Sequence, residues 1–391
     1  MVNMKEPFDL YSIDIDADPF PYYEDLRNNY PCYWSERAGI WLLSRYDDVL
    51  AAAQDWETYS SARGNLIDEI PGRSGNTLGT TDPPRHDRLR AIANAAFAKK
   101  NIGHLIAPCH EIASRQVVAV RDKRNFDFVA EFSSVITVEI LFHMMGLPAQ
   151  DPAQIRNDVV SSISTDKAAK GRGEINNQSF RKLTSWLSEQ IILRRQSPSD
   201  DLITLLAEAE IDGDRLTDEE AKLTATMFVV AGVESLSSFM SNFVLNLADF
   251  STARRRVVAD NSLMSQAIEE SLRFNTSAQR FKRVLTRDVV LHEQRMKAGD
   301  SVALLYGSAN RDFRKFPDPD TFDLDRNPIG HLGFGAGKHF CLGTSLARLA
   351  TQTSMLCFLD AFPEFTVANH DFGWVSSSNF RSPVSVPIRV L

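Results

Sequence analysis

Cysteine is scarce in this chain. Cys32, Cys109, Cys341 and Cys357 are the only four among 391 residues. No two are close enough for a CxxC pair, so neither a disulfide framework nor a CxxC zinc site is encoded. Basic charge is in deficit as well. Lys and Arg total 43 against 51 Asp and Glu, a formal −8. That argues against a general nucleic-acid surface. No uncharged apolar run reaches the roughly 18 residues of a bilayer-spanning helix. The first thirty residues lack a basic stretch followed by an apolar one, so no signal peptide is read. No fixed-period repeat or low-complexity linker is visible. Together these absences favour a reducing, cytoplasmic setting with no membrane anchor.

What remains is globular: 43% of residues are hydrophobic and 24% charged. Length alone, at roughly 150 residues per domain, allows two or three domains. Strand-like segments fall near 40–44, 284–291 and 301–305. From 84 to 274 the apolar spacing is overwhelmingly helical, most clearly over 128–145 and 183–193. The expected fold is mainly α with minor β.

One predicted helix is unusually long. It opens at Thr217-Asp218-Glu219-Glu220, a capping box with Thr217 as cap and Glu220 at N3. No proline follows before the pattern ends near Phe250, giving a helix of about 50 Å. Apolar on most faces, it should run through the middle of the fold. Its centre reads Ala231-Gly232-Val233-Glu234-Ser235. Glycine costs about 1 kcal/mol there, and a buried carboxylate needs a partner. Local violations of this kind concentrate at functional sites.

The segment Gly333-Phe334-Gly335-Ala336-Gly337-Lys338-His339-Phe340-Cys341-Leu342-Gly343 admits three readings. A phosphate-binding loop fails, because Leu332 stands at the required first glycine and His339 follows the lysine. A zinc site could use His339 and Cys341, but no other Cys/His pair is spaced to complete it. The third reading is a thiolate ligand for haem iron. Glycines at 335 and 337 would let backbone approach a flat ring. Cys341 precedes a helical pattern over 342–359, and N–H groups at a helix N-terminus stabilise a thiolate.

This segment resembles the cytochrome P450 signature F-G-x-G-x-H-x-C-x-G, matched at Phe334, Gly335, Gly337, His339, Cys341 and Gly343. Other segments resemble the same family in the right order. Glu270-Ser271-Leu272-Arg273 matches its ExxR motif, and Arg326 matches the later arginine that completes that buried network. His86 and Arg90, in the run Asp82 to Arg90, match residues gripping the haem propionates, as does Arg283. Ala231 to Ser235 resembles the oxygen-activation segment of the long central helix. The resemblance runs from about Asp18 to Val390. It implies the P450 fold, a triangular helical prism with small sheets, and one haem domain over 1–391.

The resemblance also implies a chemistry. The cofactor would be haem b (iron protoporphyrin IX) with Cys341 as its axial ligand. A thiolate pushes electron density toward iron and favours O–O cleavage, and turnover needs two protons. Glu234 is assigned as the proton-relay acid, Ser235 as the hydroxyl that steadies oxygen and water, and Gly232 as the site of a helix distortion. Ser235 replaces the family's usual threonine; serine is less rotamer-restricted, so leakier coupling is expected. A plainer role for Ser235 is a bond back to the carbonyl one turn earlier.

Without a flavin or nicotinamide segment, electrons from NAD(P)H are expected to arrive through an acidic ferredoxin and its reductase. Arg88, Lys99, Lys100, Lys338 and Arg348 are candidates for a locally basic docking face. No nucleic acid or membrane partner is expected, and the chain is read as a monomer. Pocket residues carried over by position are Met227, Val230 and Ala231 on the central helix and Ala278 and Gln279 after the ExxR helix. Asn379 and Phe380 in the C-terminal turn and Leu66 and Ile67 in a covering loop over 60–80 complete them. Arg63 in that loop is expected to meet a substrate carboxylate. The expected reaction is insertion of one atom of O2 into a small hydrophobic substrate. Hydroxylation or O-demethylation of a small aromatic acid or methoxyarene heads the readings. Biosynthetic tailoring of a terpene, macrolide or carrier-bound substrate stays open, as does a peroxide-driven haem-thiolate enzyme.

Overall fold

The computed structural model describes residues 8–97, 102–208, 210–211 and 214–391. Lys99 and Lys100 lie outside the described residues. Helices dominate, and the strands are more scattered than a sheet region at each end: besides those near the ends, Asn125–Asp127 and the pair Glu210–Ile211 with Asp214–Arg215 lie within the helical part.

The central helix, Asp218–Asp249, forms as its capping box requires. Thr217 accepts the Glu220 N–H at 3.2 Å, and Glu220 accepts the Thr217 N–H at 2.9 Å. Three acidic residues in its first turn suit the positive end of the helix dipole. The helix is long and apolar enough to cross a membrane, yet it is the core helix, with most of its residues buried. Around it lie Ser134–Met145, Pro152–Ile163 and Glu174–Gln196. The helix Thr344–Ala361, which follows Cys341, also touches it. These elements share one large apolar cluster.

The helical pattern over 128–145 resolves into two parts. Val129–Ser133 is a π-turn, and the α-helix begins at Ser134. Gly146, at φ 71°, then ends it by turning its N–H back to His143.

The main sheet has five strands in the order Cys32–Ser35, Ile40–Leu43, Ser301–Leu305, Arg280–Leu285 and Tyr59–Ser60. Only the pair Ser301–Leu305 with Ile40–Leu43 is parallel. The strand expected over 284–291 does not run through. Arg280–Leu285 stops before Thr286-Arg287-Asp288, whose Asp carboxylate caps the Ala298 N–H at 2.9 Å, and Val289–Leu291 joins a separate hairpin. Within the main sheet Arg283 pairs with Val302, and the two-residue period of a strand puts Arg283 and Phe281 on one sheet face.

Candidate active site at the cysteine loop

The cysteine loop is shaped by close backbone packing. A Cβ on Gly333 would lie 2.6 Å from the Leu272 carbonyl oxygen. A Cβ on Gly337 would lie 2.3 Å from the Ala53 carbonyl oxygen, and Gly337 also has φ +68°. The neighbouring helix Tyr46–Gln54 therefore by itself demands a glycine at 337. Gly335, at φ +70°, meets nothing closer than 3.8 Å. The Cys341 N–H closes the loop on the Phe334 carbonyl at 2.9 Å.

Cys32 and Cys109 are buried, whereas Cys341 is exposed. Dense protein nevertheless surrounds the Cys341 sulfur. Burial pushes the thiol up; the Gly343 N–H and the Arg90 and Arg348 charges pull the other way without cancelling it. Gly343 caps the helix Thr344–Ala361, as the expected position of the sulfur at a helix N-terminus required.

A second open surface lies on the central helix. Met227, Phe228, Gly232 and Ser235 are half-buried and Ala231 is exposed, although the residues between them are buried. Their spacing, i, i+1, i+4, i+5 and i+8, is one helix face. Val230 is buried in the apolar core and lies off that face. At Gly232 the helix continues undistorted, and a Cβ there would meet Leu141 at 2.9 Å. Packing against Ser134–Met145 thus accounts for this glycine.

Glu234 is 1% exposed. Its Oε1 accepts the Ser238 hydroxyl at 3.1 Å, and its Oε2 is buried without a hydrogen-bond partner. Thr226 and Ser241 bond back to carbonyls one turn earlier. Among the described residues' hydrogen bonds, none uses the Ser235 hydroxyl; the Ser235 carbonyl accepts from Ser277 at 3.1 Å.

Four basic groups converge beside the cysteine loop. His86 and His339 stand edge to face at 4.7 Å between ring centroids. Arg90 donates to the Phe340 carbonyl at 2.7 Å, and Arg283, itself buried, lies close enough to His339 to repel its charged form. The His86 and His339 Nε2 atoms are both buried without a hydrogen-bond partner. Burial, with help from Arg283 and His86, pushes His339 down to about 4. Asp82 stands 3.9 Å from the His339 Nε2; ring nitrogens buried without a hydrogen bond and two neighbouring guanidiniums are still costly alone and fit the two carboxylates of a haem. Among the described residues, no cluster of three or more His, Cys, Asp or Glu could cage a metal ion.

Behind the loop, Glu270, Arg273 and Arg326 come together. Glu270 takes Arg273 through both oxygens, at 2.7 and 2.8 Å, and Arg326 Nε at 3.1 Å. Glu270 and Arg273 are wholly buried. Arg273 also caps the carbonyls of Asn310, Pro319 and Thr321. Every charge in the group thus has oxygen or nitrogen partners.

The covering loop departs from expectation. Arg63 is exposed. The guanidinium that reaches the open helix face is Arg73, 1% exposed, 3.9 Å from the Met227 sulfur and held by Glu69 and Asn65. Glu69 and Arg73 lie in a turn region rather than a helix, so their spacing along the chain carried no signal for this pair. Leu66 joins the main core, but Ile67 packs on the separate N-terminal cluster around Phe8 and Tyr23. Asn379 is a clasp: its side chain accepts from the Ile67 N–H and donates to the Arg280 carbonyl. Gln279 is wholly buried and folds over Gly307. Ala278 and Phe380 pair across a bridge, and Phe380 meets Phe281 edge to face. Asp68, which sequence reasoning missed, ties the loop down. It accepts the hydroxyls of Tyr11, Thr165 and Ser378, from three distant parts of the chain.

Comparison with known proteins agrees with this geometry. The family model for cytochrome P450 matches residues 165–371. Cyclomarin C epoxidase CymV of Salinispora arenicola is 31% identical over 97% of this chain and 97% of its own. The methyl-branched lipid omega-hydroxylase of Mycobacterium tuberculosis is 36% identical, over 79% of this chain and 74% of its own. The crystal structure of CYP109E1 from Bacillus megaterium in complex with testosterone superposes with a TM-score of 0.89. It is 27% identical and covers 97% of this chain and 99% of that one. The chain belongs to the cytochrome P450 family of haem-dependent monooxygenases.

Proposed function

We propose that this P450, as a single haem domain, inserts one atom of O2 into a neutral, apolar substrate positioned by shape. One observation carries the reading. The open face of the central helix offers Met227, Phe228, Ala231 and Gly232, and the polar side chain on it is Ser235, with the Glu234 carboxylate buried beside it. A carboxylate on the substrate finds no waiting partner in the covering loop, since Arg63 is exposed and Arg73 is held twice by Glu69. The relatives named for an epoxidase and a lipid hydroxylase favour apolar tailoring chemistry over small aromatic acids.

Haem supplies the oxidation chemistry when bound. Cys341 would hold its iron from the helix N-terminus, and His86, Arg90, Arg283 and His339 would take its propionates. Glu234 would hold and pass the protons that turnover consumes, and Ser235 would orient water or oxygen with its free hydroxyl. An acid and a hydroxyl so placed argue against a purely peroxide-driven enzyme. Electrons would come from a ferredoxin-type partner.

Spectral titration of the ferric protein tests the substrate class. Fatty acid esters, steroids and neutral methoxyarenes should move the haem from low to high spin. Benzoates and cinnamates should not. A stronger response to the benzoates would overturn the neutral-substrate reading. Glu234→Gln and Ser235→Ala should each raise the peroxide released per NAD(P)H consumed several-fold; unchanged coupling in both would remove the proton assignment.

A further inference from the structure

The central helix carries a buried polar line through an apolar core. Glu234, Ser238, Asn242 and Asn246 follow at i+4 intervals and are between 0% and 3% exposed. Each is met by a polar group from another element, except at the first position. Asn242 donates to the Arg381 carbonyl at 3.1 Å, and Asn246 donates to the Ser271 hydroxyl at 2.8 Å. Ser238 is met by Ser382 of the C-terminal turn, itself 1% exposed. Glu234 has no partner from outside its own helix among these bonds; Ser238 holds it.

The Ser238 oxygen lies 3.1 Å from Glu234 Oε1 and 2.7 Å from the Ser382 oxygen. A hydroxyl has one hydrogen to donate. Both contacts therefore cannot be donated by Ser238 at once. With Glu234 ionised, the stable order is Ser382 donating to Ser238 and Ser238 donating to the carboxylate. With Glu234 protonated on Oε1, the order reverses: Glu234 donates to Ser238, and Ser238 donates to Ser382. Either order keeps Ser238 bonded to Glu234; in the second, Ser382 is the terminal acceptor and its own hydrogen finds no partner among these bonds. Without Ser382, the protonated state would leave the unpaired hydrogen on Ser238 itself, directly beside the carboxyl it positions.

We propose that Ser238 and Ser382 form a reversible two-hydroxyl chain that holds the Glu234 carboxyl in one position through both of its protonation states. Ser238 and Ser382 are positioning residues, and no net proton need pass through them. The inference deepens the reading of Glu234 as the proton-handling acid and rests on it.

The test uses the ferric holoprotein, with infrared difference spectra against Glu234→Gln isolating the Glu234 carboxyl band. Ser238→Ala should shift that band and raise peroxide release per NAD(P)H at least threefold. Ser382→Ala should shift the band in the same direction with a smaller loss of coupling. Ser238→Thr, which keeps the hydroxyl, should restore both readouts and guards against a packing artefact. If Glu234→Gln uncouples turnover while Ser238→Ala leaves band and coupling as in the wild type, the chain is overturned and the Glu234 reading stands. If Glu234→Gln leaves coupling unchanged, both fall.

Discussion

Gly337 and Cys341 show how differently two residues of one motif are constrained. At Gly337 the limit is steric, since a methyl group would strike the Ala53 carbonyl from a left-handed backbone. Gly337→Ala should cost at least about 1–2 kcal/mol from the backbone alone, read as a lower melting temperature and reduced haem content on purification. At Cys341 the demand is chemical. Cys341→Ser should fold, but the strongly red-shifted Soret band of the reduced CO complex should be lost, and its survival would remove Cys341 as the ligand. The spacing of Phe334, His339, Cys341 and Gly343 made this loop legible in the sequence. The physical cause of the glycines was not, because the Ala53 carbonyl that excludes a side chain is nearly three hundred residues away.

At the scale of elements, the central helix was legible from its capping box and its apolar length. The covering loop was not. Which arginine turns inward depends on partners from elsewhere in the fold, and Arg73 is fixed by Glu69 and Asn65 while Arg63 is left outside. The same loop depends on Asp68, whose three hydroxyl partners join it to the N-terminal segment, to the connection between Pro152–Ile163 and Glu174–Gln196, and to the C-terminal turn. Asp68→Ala should speed amide exchange over 60–80 and 164–173 by tenfold or more, with the central helix unchanged. Equal exchange in both proteins would show that the loop is held by other contacts. A different tie joins the ExxR helix to the cysteine helix. Burial alone would raise the Glu269 carboxyl, but the bonds and charges of Arg348 and His331 outweigh it and hold it down at about 2. The native state therefore binds this proton less readily than the unfolded chain, whose Glu titrates near 4.5. The stability from this pairing is complete above about pH 4.5 and is lost as pH falls toward 2. Glu269→Gln should flatten the acid limb of a stability–pH curve over that window.

For the whole molecule, the formal −8 leaves little spare positive charge near the cysteine loop. Lys338 pairs with Asp87, and Arg348 is gripped by both oxygens of Glu269. Arg88 meets Glu220 and the Arg215 carbonyl. The basic docking face expected from the sequence is thus largely neutralised among the described candidates. Reduction by an acidic ferredoxin should change by less than about tenfold from low to high salt; a much steeper fall would show that free surface cations steer the encounter.

The paired imidazoles of His86 and His339 have one more consequence. Each ring keeps a buried Nε2 without a hydrogen bond beside Arg90 and Arg283, with Asp82 at 3.9 Å the acid nearest the His339 nitrogen, so this corner gains stability from a bound anion. Its cofactor is then also a folding ligand, since whatever binds only the native state raises its stability by mass action. Maturation of this chain is accordingly a supply problem: the pool of folded molecules in a cell should track the supply of haem, and not only the rate at which the polypeptide is made.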